Sequence, residues 1–325
     1  MPKNSRAERI ILISMMKSGT HLITELLAAL GYRMHGHVRV RPETAPVLDP
    51  QTRRRMAEMV YDDERLAELK AQDEASFLDA TDQAWEALAW AWKLRWGMPL
   101  VNQYSTELVN RRLVAQALER TSGTPFTQTP SNVCWVLHEF DIRKIDGAFL
   151  SDWSRTGEPR IVFNYRDPRD VALSMVNFAS GHTRGGLSAI NNLQAFGSIL
   201  RAKPTLEERL TYALTDGSFP AQAHDYMRMM WLLHHPNVYS TSFEQLVGPD
   251  GGGSAEAQLR ATAGLIEFLG AADASPEDVA TKLFNRDAFT FFKGQVGAWK
   301  EVYTAEHRRI AQQRFAEVLP LYGYV

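Results

Sequence analysis

The residues able to do chemistry fall in three short stretches and around one histidine. The first is Lys17-Ser18-Gly19-Thr20-His21, which follows the strand-like run Arg9–Ser14 and opens an apolar segment of helical period reaching Leu30. A turn from a parallel strand into a helix aims several backbone N–H groups and the positive end of the helix dipole at one point. Such a turn suits a phosphate, and Lys17 adds a mobile full charge while Ser18 and Thr20 add hydroxyls. The second stretch pairs Arg166, which leaves the strand-like Arg160–Tyr165, with Ser174 about two turns into the following helix. A planar, permanently charged guanidinium suits bidentate phosphate contact, and serine is a mediocre interior helix residue. Asp167 as N-cap, Pro168 as first helical residue and Asp170 at the capping-box position explain the helix start without function. An Arg166–Asp170 ion pair is the plain alternative for the arginine. The third stretch is Gly294-x-x-Gly297-x-x-Lys300, preceded by Lys293, where glycines let the backbone approach an anion. Of nine histidines, His138 is best placed to act as a base near neutral pH, at the end of the apolar segment Val133–His138. Glu139 beside it is an orienting group or an alternative base, and a structural histidine is the plain reading.

A P-loop NTPase would read GxxxxGK[ST] at the first stretch. Here Ser14 stands five before Gly19 and Thr20 follows it, so the lysine precedes the glycine. That order resembles the 5′-phosphosulfate loop of the PAPS-dependent sulfotransferases, whose usual form is close to P-K-S-G-T-T-W. Arg166-x7-Ser174 resembles the family's 3′-phosphate motif, and "FFKGQVGAWK" resembles its third signature, close to RKGxxGxWK, in which a loop covers the 3′-phosphate. The three occur in the family's order from position 17 to 300, so the resemblance covers nearly the whole chain. It implies PAPS as donor and PAP as product, with no metal. Lys17 is expected to steady the bridging oxygen, and Ser18, Gly19 and Thr20 to cradle the 5′-phosphate. Arg166, Ser174, Lys293 and Gly294 are expected to hold the 3′-phosphate, and Phe243 to contact adenine. The family's catalytic histidine follows a comparable strand, commonly within K-T-H, which assigns proton removal to His138; His21, in place of the loop's second threonine, is the second candidate and a further phosphate ligand. Leu22 stands where the family usually has tryptophan, Phe243 where a tyrosine often precedes the acid, and Phe292 where RKG has its arginine. The lost arginine removes one charge from the 3′-phosphate site.

Four β-rich segments must position these residues: Arg9–Ser14, Val133–His138, Arg160–Tyr165 and the stretch from Asn237 to Phe243. Short apolar strands separated by helices predict an α/β domain with a central parallel sheet flanked by helices, with ligands beyond the strands' carboxyl ends. The resemblance makes this a P-loop-like sulfotransferase fold. One domain over 1–325 is expected, with a helical insertion at about 50–120 and a pocket or lid excursion at about 180–220. In the insertion, Trp85, Trp92 and Trp96 share one helix face. That face is either core or the wall of an apolar acceptor pocket. "VGPDGGGSAEAQ" reads as a surface loop feeding a helix that ends near Gly270.

The chain's 325 residues are 45% hydrophobic, enough for a large core. Thirty-six basic against 38 acidic side chains give a formal charge of −2, so no overall field recruits nucleic acid or a membrane. The start MPKNSRAERI has no apolar signal-peptide core, and no run reaches the ~18 apolar residues of a spanning helix; a cytoplasmic protein is expected. The one cysteine, Cys134, sits among apolar neighbours and reads as a buried small hydrophobe. His35 and His37, like His234 and His235, read as surface pairs rather than metal ligands. The function expected is sulfuryl transfer to a hydroxyl, or secondarily an amine, of a small, partly apolar acceptor, by a monomer or homodimer. A small-molecule kinase with a degenerate P-loop and a non-catalytic nucleotide-binding protein are the alternatives, and the Ala- and Arg-rich composition suits a bacterial enzyme of specialised metabolism.

Overall fold

Strand β1 (Arg9–Ser14) is buried along its whole length, which is why it reads as an unbroken apolar run rather than an alternating one. In the computed structural model, which describes residues 6–36, 44–98, 110–138, 140–181, 191–283 and 294–325, β1 is the middle strand of a five-stranded, all-parallel sheet. The chain passes through α1 (Thr20–Ala29) to a short edge strand β2 (Arg33–His35), then through the helices α2 (Pro50–Val60), α3 (Asp63–Lys70), α4 (Glu74–Arg95) and α5 (Arg111–Arg120) to β3 (Val133–Leu137). Helix α6 (Gly147–Thr156) leads to β4 (Arg160–Tyr165), and α7 (Pro168–Ala179), α8 (Asn191–Arg201), α9 (Leu206–Thr215) and α10 (Ala223–Met229) lead to β5 (Val238–Ser242). A one-turn helix α11 (Phe243–Leu246) and the longer α12 (Ala255–Leu269) follow, with Gly270 closing α12 in the left-handed conformation expected of it.

The strand order is β2-β3-β1-β4-β5. Crossovers from β1 run to β2 and β3 on one side and to β4 and β5 on the other, so β1 marks the point where open α/β sheets form a ligand crevice. The registers Ile13↔Leu137 and Ser14↔Asn164 bring the carboxyl ends of β3, β1 and β4 level with one another. Alternate residues serve opposite faces. Ile11, Ile13, Trp135, Leu137, Ile161 and Phe163 pack into the larger core, while Ile10, Leu12, Cys134, Val136 and Val162 pack on α1 and α12. This is one α/β domain of the expected class.

Several expectations are corrected here. The sequence reading missed β2, which has only three residues. β3 ends at Leu137, leaving His138 as the first residue past the strand, and β5 ends at Ser242, with Phe243 turning into α11. The tryptophan face of α4 is core. Trp92 and Trp96 are 1% and 0% exposed and meet Phe126, Trp135 and Phe149 edge-on or tilted, so the pocket-wall alternative falls. His35 is buried with Trp85 and Trp135 at centroid distances of 4.7 and 4.9 Å, so it does not belong to a surface pair; His234 is exposed and His235, half-buried, stacks on Trp153. His37 lies outside the described residues. The glycine-rich loop before α12 is not merely a surface turn, because Gly251 is buried and its carbonyl accepts from the Val296 N–H at 2.9 Å. No helix is long and apolar enough to cross a membrane among the described residues.

Candidate active site

The lysine turn is built on two left-handed residues. Lys17 has φ +57° and Gly19, the N-cap of α1, has φ +85°. The side chain of Phe243 packs so close to Gly19 that a Cβ there would stand 2.6 Å from its Cδ2. Glycine is therefore required twice over, by conformation and by contact. Beneath the turn lies a buried polar lattice. The Asn164 amide donates to the Ser18 carbonyl at 2.9 Å and to Ser14 Oγ at 3.1 Å, Ser14 Oγ and Thr20 Oγ1 lie 2.8 Å apart, and Ser18 Oγ donates to the Met15 carbonyl. The Ser18 and Thr20 hydroxyls are thus engaged inside the loop. Helix α1 has no side-chain N-cap, and of the turn amides the Ser18 N–H is already given to the Met15 carbonyl at 3.2 Å; an uncapped helix start of this kind suits an anion.

Lys17 is half-buried with its ammonium 4.2 Å from the centre of the ring of Phe178, a buried residue of α7. Burial first, and the Arg166 charge second, bring its pKa down to about 7. Among the described residues no carboxylate pairs with it. Lys17 is thus a buried cation beside a second cation, an arrangement that favours binding of an anion.

Arg166 emerges at the carboxyl end of β4 and is 7% exposed. Its Nη2 donates to the Gln295 carbonyl at 2.7 Å, its Nη1 reaches the Lys17 carbonyl at 3.4 Å, and its guanidinium lies 4.2 Å from the centre of the Phe243 ring. The Arg166–Asp170 pair is real, at 3.5 Å, yet it occupies only part of the guanidinium, and Nε is buried with no partner among the described residues. Asp167 caps α7 as expected, accepting from the Arg169 N–H at 2.9 Å, with Pro168 in the first turn. Asp170 does not complete a capping box. Its carboxylate accepts instead from the Gly297 and Trp299 N–H groups at 2.8 and 3.0 Å, which fastens the third stretch to α7. Ser174, half-buried on the same helix, has no hydrogen-bond partner among the described residues. Phe243 is 5% exposed, with Arg166 over one face and Gly19 against its edge, so it offers a ligand little ring surface. Gly294 and Gly297 are both left-handed, at φ +58° and +69°. Lys293 and Glu139 lie outside the described residues.

His138 stands on the other flank of β1. Its Nδ1 lies 3.0 Å from the Ser14 carbonyl, and a carbonyl only accepts, so Nδ1 carries the proton and Nε2 presents the lone pair. Burial is the largest cause lowering its pKa; the Ser14 bond opposes it, and the charges of Lys17 and Lys93 add to it. His138 therefore favours the neutral imidazole more than a free histidine does. His21, half-buried in the first turn of α1, is held near pKa 4 by burial and by the neighbouring Lys17 and His138. It is a neutral imidazole, able to donate a ring N–H but bringing no charge to a phosphate.

The structure thus gathers Lys17, Ser18, Gly19, Thr20, His21, His138, Arg166 and Phe243 at neighbouring strand ends, with Ser174 and Gly294 on elements joined to them. Sequence reasoning missed Asn164, although a lone asparagine in "RIVFNY" was a legible signal. It also missed Phe178, Asp170's attachment to the loop, and Lys93, a buried cation of α4 whose charge reaches His138. Cys134 is buried and its thiol pKa is pushed up by desolvation, which leaves it inert. The described residues contain no cluster of metal-ligating side chains.

No protein-family model and no curated protein sequence matches the chain. Among solved structures it is similar to a retinol dehydratase in complex with retinol and PAP, at 15% identity and a TM-score of 0.47, covering 96% of this chain and 81% of that one. A second similar structure is retinol dehydratase in complex with androsterone and the inactive cofactor PAP, at 15% identity and a TM-score of 0.40, with the same coverage.

Proposed function

We propose that the protein moves a sulfuryl group from PAPS to a hydroxyl of a small, partly apolar acceptor, with an amine as the second choice of acceptor. The observation that carries this reading is the pairing of Lys17 and Arg166 on two loops at adjacent strand ends, linked through the Lys17 carbonyl, with a histidine of fixed tautomer on the opposite flank of β1. Two separate phosphate positions fit a 3′,5′-bisphosphate. The α1 turn and Lys17 suit the 5′ end, and Arg166 with Ser174, Lys293 and Gly294 suits the 3′ end. Phe243 shapes the nucleotide side by supporting Arg166. PAPS supplies an activated sulfuryl group, and the chain's own residues do the rest. His138 Nε2 takes the acceptor proton as the acceptor oxygen bonds to sulfur, while Lys17 neutralises the 5′-phosphate oxygen from which sulfur departs. The Phe178 ring, 5% exposed, lies under the Lys17 ammonium and holds it beside the reacting centre.

Incubation with sulfur-labelled PAPS or with γ-labelled ATP, each against one panel of phenols and aliphatic alcohols, tests this. Label transfer from PAPS is expected. Phosphoryl transfer from ATP to the same panel, with none from PAPS, would replace the proposal with a kinase.

A further inference from the structure

Asp170 is a carboxylate with a side chain only 1% exposed, and helix capping does not explain it, since Asp167 already caps α7. Burying a carboxylate is costly unless its oxygens are well paired. Here Oδ2 accepts from Gly297 N–H at 2.8 Å and lies 3.5 Å from Arg166 Nη2, while Oδ1 accepts from Trp299 N–H at 3.0 Å. The ring closes because the same Arg166 nitrogen donates to the carbonyl of Gln295, two residues before Gly297. From the far side, the Gly251 carbonyl holds Val296 N–H.

We infer that Asp170 is a positioning residue that sets the preference for a 3′-phosphorylated nucleotide, by locking Arg166 and the segment from Gly294 to Trp299 into one unit. The inference rests on the sulfotransferase reading. Arg166 has two of its donor groups directed at protein carbonyls and keeps a buried Nε without a partner among the described residues, so a phosphate oxygen meets an arginine whose orientation Asp170 and the loop have already fixed. Burial, with the Asp167 charge adding to it, leaves the Asp170 pKa raised although Arg166 and the two N–H groups oppose the rise.

The test is calorimetric binding of PAP and of adenosine 5′-phosphate to wild type, to Asp170→Asn and to Gly297→Ala. Asp170→Asn keeps the shape but loses the charge and one acceptor. It should weaken PAP by about 10- to 100-fold and leave adenosine 5′-phosphate within about twofold, so the preference collapses. Gly297→Ala perturbs the same unit from the loop side, through strain at φ +69° with only ordinary contact to the Lys300 side chain. Its effect should have the same sign and be smaller, and it decides the matter if Asp170→Asn does not fold. Equal weakening of both nucleotides, or an unchanged preference, overturns the role given to Asp170. A wild type that binds the two nucleotides alike overturns the parent reading instead, and this inference with it.

Discussion

The affinity for PAP should fall about fiftyfold between pH 7 and pH 9, because Lys17 loses its proton over that range. In the empty site its pKa is about 7, lowered by burial and then by Arg166. A bound polyanion favours the ammonium form, so Lys17 stays protonated in the complex and binding takes up a proton wherever the free site has lost one. Affinity therefore rises as pH falls. The apparent dissociation constant scales with one plus the ratio of neutral to charged lysine, a factor of about 2 at pH 7 and about 100 at pH 9. The ligand's phosphates, with second pKa values near 6, are ionised throughout, and arginine does not titrate. Isothermal calorimetry across this range, in buffers of different ionisation enthalpy, reads both the slope and the proton uptake. Lys17→Arg should bind with a flat profile, and Lys17→Met more weakly and also flat. A flat wild-type profile, or a Lys17→Met profile as steep as the wild type's, would refute the assignment of Lys17 as the titrating phosphate ligand.

Replacing His138 by alanine should cut kcat by about 10²- to 10⁴-fold while leaving PAP affinity within about twofold; equal losses in both would make the histidine structural. Because His138 acts unprotonated and its pKa is pushed below the ordinary 6.5, wild-type kcat should decline only on the acid side of that value, and a decline starting above it would contradict the assignment. Gly19→Ala should lower stability by ~1–3 kcal/mol, since the new Cβ meets Phe243 at 2.6 Å with φ at +85°; denaturant unfolding gives the number, and an unchanged midpoint would show that the turn relaxes freely. Asn164→Ala strips the Ser18 carbonyl of its donor and should cost about 1–3 kcal/mol, with weaker PAP binding if the lattice shapes the turn. Unaltered PAP affinity in that variant would separate the lattice from the anion site.

The site was legible where chemistry and conformation agree in a few adjacent residues. The Lys17–Gly19 turn announces itself because a charged residue and a glycine interrupt an apolar strand-to-helix passage, and Arg166 because it directly precedes a well-marked helix start. What stayed hidden depends on contacts between distant segments. Asp170 carries a local signature identical to that of a capping acid, and only the approach of Gly297, 127 positions later, reveals its use. The face shared by Trp85, Trp92 and Trp96 has the same period whether it lines a pocket or a core, and what decided it was Trp135 arriving from β3. His35 read as a surface residue from its place in His-Gly-His, whereas the three-residue strand that carries it is too short to show a period. Phe243 read as an adenine contact, and only the approach of Gly19 and Arg166 shows how little of its ring is open.

The account rests most heavily on the proposal that the Lys17 turn and Arg166 hold the two phosphates of one 3′,5′-bisphosphate. The direct measurement is calorimetric binding of PAP, ADP and ATP to wild type and to Arg166→Ala. The proposed function predicts a preference for PAP of at least about tenfold over both other nucleotides, lost in Arg166→Ala if that guanidinium is the charged hydrogen-bond partner of the 3′-phosphate. ATP bound as tightly as PAP or more so, with Arg166→Ala indifferent to the choice, would contradict the account and return the lysine turn to the nucleoside triphosphate enzymes.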